Sequence, residues 1–305
     1  MNKTVTMSII FQAQSLNYGE GTSNISELKK LTRGNGQQFT VASRQCLRYD
    51  IARLGGRIFG WNLQVVDKSK GTVQFKEGLS IKDSEEMDLF GYMKTKEGEG
   101  GKNRSAAVRI SFATSLEPYK NDIEFLSNKG LADRINENAN LANIEQHLSY
   151  DTYTITIDLD KVGVDGEVKL DNETRNKRIS QLLDIIKILH REIRGRVENL
   201  SPLFVIGGVY DFPNPVFLGR IKLLGVKDSF AIDLEPIKSA MEVSVLNCNV
   251  EERTFVGIVN GIFANEKDIK DLFKDRALNV NQSFNKMKTE IANYYGVNLD
   301  EGSKA

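Results

Sequence analysis

The sequence predicts an α+β fold, and three observations carry that prediction. Residues 4–13 alternate strictly, alternation returns at 153–159, and amphipathic helical stretches separate and follow these segments. In the first segment Val5, Met7, Ile9, Phe11 and Ala13 share one face, while Thr4, Thr6, Ser8 and Gln12 share the other. This predicts a strand with one buried face, with Ile10 breaking the polar side. SLNYGEGTSN (15–24) is turn chemistry. A helix is expected over 40–54, with Thr40 as its N-cap and Gly55-Gly56 as its stop. At about 100° per residue, Leu47, Ile51 and Leu54 form its apolar stripe, with Arg44 and Arg48 at the edge and Arg53 and Arg57 pointing roughly the opposite way.

Beyond residue 61 the pattern becomes irregular. KTKEGEGGKNRS (94–105) has no apolar residue and reads as a mobile basic loop, followed by a short strand at 108–112. YTITIDL (153–159) is the second alternating strand, and Asp171 or Thr174 caps a long helix expected over 175–199. PLFVIGGVY (202–210) and VFLGRIKLL (216–224), joined by DFPNP, read as a stiff-tipped hairpin or arm with Tyr210, Phe212 and Phe217 near its apex. These aromatics serve equally well as stacking groups or as core anchors. A strand at 253–263 and a helical end at 266–296 complete the order. That order suits a ferredoxin-like or RNA-recognition-type sheet interrupted by insertions.

Composition narrows the function classes. The 41 basic and 41 acidic residues of the 305-residue chain cancel, but their distribution is uneven. Residues 29–57 hold Lys29, Lys30, Arg33, Arg44, Arg48, Arg53 and Arg57 against Asp50 alone. A local patch of this kind suits a polyanion that meets one surface. Cys46 and Cys248 cannot build a disulfide framework, and no Cys/His spacing suits zinc. No run approaches the roughly eighteen apolar residues of a membrane span. A reduced, cytoplasmic protein without a membrane segment is expected.

A search for chemistry finds no phosphate-binding loop, dinucleotide fingerprint, metalloprotease motif or nucleophile elbow. Of the two histidines, His190 falls inside the apolar stripe of the 175–199 helix and reads as a core residue; His147 sits in a polar segment and reads as a surface residue. Cys46, without a partner, reads as inert. No catalytic set, metal or cofactor is expected. A basic helix, a basic loop and an aromatic arm remain, and arginine with exposed aromatics suits RNA.

Several segments carry a family resemblance: the first strand into SLNYGEGTSN, LTRGNGQQFTVASRQCLRYDIAR (31–53), DLFGYM (88–93), KNRSAAVRISFATSLEPYKNDIEF (102–125) and FVIGGVYDFPNPVFLGRI (204–221). In content and order they resemble the DevR-type backbone subunit of type I CRISPR interference (Cascade) complexes, in the RAMP superfamily. The resemblance implies a modified RNA-recognition palm at 1–58 and 105–265, a finger insertion at 59–104 and a β-hairpin thumb at about 200–224, with the C-terminal helical region at 266–305 lying beyond it. It also implies a non-catalytic protein that binds the CRISPR guide RNA and oligomerises along it as a helix. Such a protein joins other Cascade subunits and meets target DNA through the guide.

On the matching segments, RNA contacts are expected at Asn17, Arg33, Gln38, Ser43, Arg44, Gln45, Arg48, Arg109, Tyr210, Phe212 and Phe217, with Lys29 and Lys30 extending the basic track just ahead of them. Target DNA is expected beside Lys94, Lys96, Lys102 and Arg104. Two other readings stand beside this one: an RNA-targeting, type III-like subunit or repeat-RNA processing ribonuclease, and a regulator that binds duplex DNA. No helix-turn-helix signature supports the regulator.

Overall fold

The computed structural model describes residues 3–69, 71–96, 99–245 and 248–298. The alternating N-terminal segment forms β1 (Thr4–Ala13) and is followed by α1 (Arg44–Phe59), β2 (Val108–Ile110) and β3 (Ala113–Ser115). Next come β4 (Ser149–Asp158), α2 (Asn172–Lys187) and β5 (Phe204–Tyr210), and then β6 (Phe255–Ile258), β7 (Ala277–Asn279) and α3 (Val280–Tyr295). Across a nine-stranded sheet, β5, β1, β4 and the β2/β3 pair lie side by side, each antiparallel to its neighbour. In chain order that is fourth, first, third, second: two interleaved β-α-β units. The sheet extends past β5 through β6 and β7, and past β3 through strands Gln38–Ala42 and Lys30–Thr32.

β1 lies at the centre, and its pairing explains the packing. Val5, Met7 and Ile9 stand opposite Ile157, Ile155 and Tyr153 of β4. They enter a core shared with Leu47, Ile51 and Leu54 of α1, Leu182 and Ile186 of α2, and Phe284 and Met287 of α3. The polar face of β1, expected to meet solvent, is buried as well at Thr4, Thr6 and Ser8, and only Gln12 at its end is exposed. Ile10 joins a second core with Phe204, Tyr210 and Phe217, and Thr6 Oγ1 donates to the Asn214 carbonyl at 3.0 Å. A strand paired on both sides in a sheet covered on both faces has no wet side. Ile10 was the visible sign of this.

Several boundaries differ from expectation. α1 begins at Arg44, where Ser43 Oγ accepts from the Cys46 amide; Thr40 lies one strand earlier and bonds His147 Nδ1. Gly55 and Gly56 lie inside α1 and do not end it. A Cβ on Gly55 would meet the Trp61 ring at 2.3 Å, and one on Gly56 would meet Leu63 at 2.9 Å. These glycines flatten the helix so that the returning chain can pack on it. The break comes at Gly60, with φ 71°.

The helix expected over 175–199 ends at Lys187, capped at its start by Asp171 as anticipated. Strands His190–Ile193 and Arg196–Asn199 follow as a hairpin whose turn residues, Arg194 and Gly195, both have positive φ. His190 is therefore a half-buried strand residue and not a core helix residue, whereas His147, expected at the surface, is buried. The 94–105 segment is no irregular loop: Tyr92–Lys96 and Glu99–Arg104 pair as a hairpin. Residues 216–224 do not pair back on β5. The chain crosses the sheet there, and the hairpin falls later, between Leu223–Val226 and Ser229–Ile232. The expected strand at 253–263 shortens to β6, and the expected helical end divides into Glu266–Phe273 and α3 around β7. Among the described residues, no helix is long and apolar enough to cross a membrane.

Candidate nucleic-acid interface

The start of α1 and the edge strand β2 meet at an open cavity of about 560 Å³. Arg44, Gln45 and Arg48 line it from the helix and Arg109 from β2, over a floor that includes Phe90, Val108 and Ile110. Helical spacing puts Arg44 and Arg48 one turn apart, and pairing with β4 turns Arg109 outward beside them. Arg48 is partly engaged: its Nη2 lies 2.8 Å from Glu86 Oε1 and its guanidinium 5.3 Å from the Phe90 ring centre. Arg44 and Arg109 are exposed, and neither has a carboxylate partner among the described residues.

The charged side chains lining the cavity are all cationic: Arg44, Arg48 and Arg109. Nearby, the Lys161 ammonium is held below the usual lysine value, by burial first and then by the charges of Arg104 and Arg109. No acid sits in the first turn of α1, whose N-terminus adds its own partial positive charge. The chemistry fits one or two phosphate groups of a flexible polyanion.

Four of the sequence-expected RNA residues therefore come together here: Arg44, Gln45, Arg48 and Arg109. Asn17 and Ser43 sit behind them as positioning groups, since Asn17 is buried with its Nδ2 3.4 Å from the capping Ser43 Oγ. Lys29, Arg33 and Gln38 are exposed around strands Lys30–Thr32 and Gln38–Ala42, extending the basic surface. Lys30 is committed elsewhere: its Nζ lies 2.6 Å from Glu145 Oε2 and 4.5 Å from the centre of the Tyr119 ring.

The other expected residues separate from this site. Tyr210 and Phe217 are core residues; the Tyr210 hydroxyl bonds Thr254 Oγ1 at 2.8 Å, and Phe212 lies half-buried with its ring 5.9 Å from that of Tyr210. The Tyr210 and Phe217 rings fill the second face of the sheet and are not free to stack on a base.

Two of the basic residues of 94–105 are also structural. Lys94 is buried, donates to the carbonyls of Glu77 and Leu79, and has its ammonium lowered by burial and by Lys102. Arg104 Nη2 lies 2.9 Å from Asp88 Oδ1 and donates to the Lys161 carbonyl at 2.7 Å. Lys102 is exposed, and the Lys96 side chain lies outside the described residues.

Two features of the region escaped the sequence reading. Tyr49 stands exposed one turn after Gln45, which the helical wheel already implies. Phe90 reaches the cavity only through tertiary packing. Cys46 is buried with its thiol pushed up to about 11, by burial first, and is inert as expected. Among the described residues, no group of His, Cys, Asp and Glu is arranged to hold a metal.

A mixed sheet protein with an open arginine cavity at the start of a helix is a candidate nucleic-acid-binding protein. The chain belongs to the family described as CRISPR-associated negative auto-regulator DevR/Csa2, whose profile matches residues 5–227. The fold is similar to a chain of a CRISPR RNA-guided surveillance complex in a pre-nicking state, with TM-score 0.57 and 13% identity, covering 96% of this chain and 99% of that one. A second CRISPR RNA-guided surveillance complex chain is similar at TM-score 0.56 and 12% identity, covering 95% and 99%. No curated protein sequence matches.

Proposed function

We propose that this protein is a non-catalytic backbone subunit of a CRISPR RNA-guided interference complex in antiviral defence. On this reading several copies line the guide RNA, pack beside other Cascade subunits, and present the guide for pairing with target DNA. The four-strand unit of β5, β1, β4 and β2/β3, with α1 and α2, is the palm, and the segment from about 59 to 104 forms the fingers. The observation that carries the proposal is the cavity holding Arg44 and Arg109 free of carboxylates. Spacer sequences differ, so a guide holder must grip phosphate and ribose and leave bases for pairing.

A thumb is better supported outside the 200–224 segment. Strands Asp122–Ser127 and Leu141–Gln146 form a hairpin in a separate three-stranded sheet. Every residue of the first strand is exposed, and Phe125 shows 62% of its surface. A hairpin whose first strand is exposed throughout is suited to reaching a neighbouring copy; β5, buried along its whole length, is not.

Salt-dependent binding of single-stranded RNA tests the reading. Removing both free arginines, Arg44→Ala with Arg109→Ala, should lower the salt slope by roughly 1.4, at about 0.7 per phosphate, equally for unrelated sequences. An unchanged slope removes the assignment. Magnesium-dependent cleavage of the same RNA would favour the ribonuclease reading.

A further inference from the structure

A second concavity of about 540 Å³ adjoins the arginine cavity and shares Gln45 and Arg48 with it. We infer that this second concavity is a slot for one unstacked nucleobase of the bound strand. The inference rests on the guide-binding reading and adds a base subsite to it.

The slot is carved by residue size along α1. Arg44 and Arg48 form one ridge at i, i+4 spacing, and the next two positions in that row are Ala52 and Gly56. Two small residues one turn apart leave a trough where a long side chain would otherwise lie. Leu63 closes one wall, held against the helix because Gly56 has no Cβ. Tyr49 stands over the other side with 64% of its surface exposed. An exposed tyrosine beside an apolar trough is a vacant stacking surface.

Electrostatics separates base from phosphate. Arg48 is paired with Glu86 at 2.8 Å and Arg53 with Glu192 at 2.9 Å, the exposed Arg57 reaches that same Glu192 at 3.7 Å on the slot's rim, and Glu86 itself faces the slot. A carboxylate repels phosphate but accepts a hydrogen bond from the exocyclic amine or ring N–H of a base, and Gln45 offers both donor and acceptor. The free cations lie next door, at Arg44 and Arg109. A strand whose phosphate sits on these arginines has its base within reach of the trough, and an unpaired base stacks without regard to its identity.

The test uses the full chain and an RNA short enough for one copy, either intact or with a single abasic ribose moved along its length. At one position, loss of the base should weaken binding about tenfold, within the range for base–aromatic stacking. Tyr49→Ala should abolish that difference and leave the unfolding temperature unchanged, and Ala52→Leu, which fills the trough from a buried position, should abolish it in the protein that remains folded. Equal binding of intact and abasic RNA at every position overturns the slot and leaves the guide-binding reading standing. Failure to bind any RNA removes both. If Tyr49→Ala leaves the abasic penalty intact but breaks a contact with another protein, the surface is a protein interface and the proposal fails.

Discussion

Arg44 and Arg104 carry the same guanidinium and meet opposite fates. Arg44 projects into open solvent at the start of α1, with no carboxylate near it among the described residues. Arg104 is buried with Arg178 against Asp88, which is fully buried and also accepts from the Gly163 amide at 2.8 Å. Asp88 and Arg104 come from the segment between α1 and β2, Arg178 from α2, and Gly163 from the loop after β4. This cluster therefore ties that segment to α2 and the loop after β4. The difference teaches that a basic residue becomes available to a ligand only where the fold withholds a partner. Lys94, bonded to two carbonyls, belongs with Arg104; Lys102, exposed on the same hairpin, belongs with Arg44.

The largest expected effect breaks the buried side of the comparison. Asp88→Ala leaves two buried guanidinium groups without their anion and should cost about 3–5 kcal/mol in denaturant unfolding. The RNA affinity of the protein that remains folded should not change. A stable Asp88→Ala variant with weakened RNA binding would reverse the roles assigned to the two regions. Lys94→Met comes next. It leaves the Glu77 and Leu79 carbonyls without this donor, for an expected loss of about 1–3 kcal/mol with the salt slope of RNA binding intact. Loss of target binding at full stability would return Lys94 to the nucleic-acid surface.

Asp151 sharpens the comparison from a third side, as a buried charge without a cation. It is 2% exposed, and its Oδ1 has no hydrogen-bond partner among the described residues. Burial first, then the charges of Glu117 and Glu198, push its carboxyl well above the ordinary aspartate value of 3.8. The folded state thus holds this proton more tightly than the unfolded chain does. Its stabilising contribution is full below pH 3.8 and is lost as pH rises through the folded value. Asp151→Asn should raise the unfolding temperature at neutral pH, and the gap should close on acidification. A gap independent of pH would show that the carboxyl does not titrate in this way.

The smallest effect on stability belongs to the exposed side. Arg44→Ala should move the unfolding free energy by no more than about 0.5 kcal/mol while still lowering the salt dependence of RNA binding. A large loss of stability would show that Arg44 is a structural residue like Arg104.

Much of this protein was legible in its residues. The alternation of 4–13 and 153–159 marked two central strands, Asp171 marked the start of α2, and the i, i+4 spacing of Arg44 and Arg48 marked the basic edge of α1, since each depends on local geometry alone. The family resemblance then placed Arg109 in the same site from a segment distant in sequence. What the residues could not decide was partnership across the chain. Thr40 and Ser43 are both competent caps, and only the pairing of Gln38–Ala42 with its neighbours left the role to Ser43. Gly55-Gly56 resembled a stop because the approach of Trp61 and Leu63 is a tertiary contact. Tyr210, Phe212 and Phe217 had equal claim to stacking or to the core, and the second face of the sheet took them. Lys94 and Arg104 looked like a solvated basic loop until the carbonyls of Glu77 and Leu79 and the carboxylate of Asp88 met them. Periodicity and capping are set by neighbours within a few residues and survive in a one-dimensional reading. Burial and charge pairing are set by residues tens of positions away, and only the folded chain brings those together.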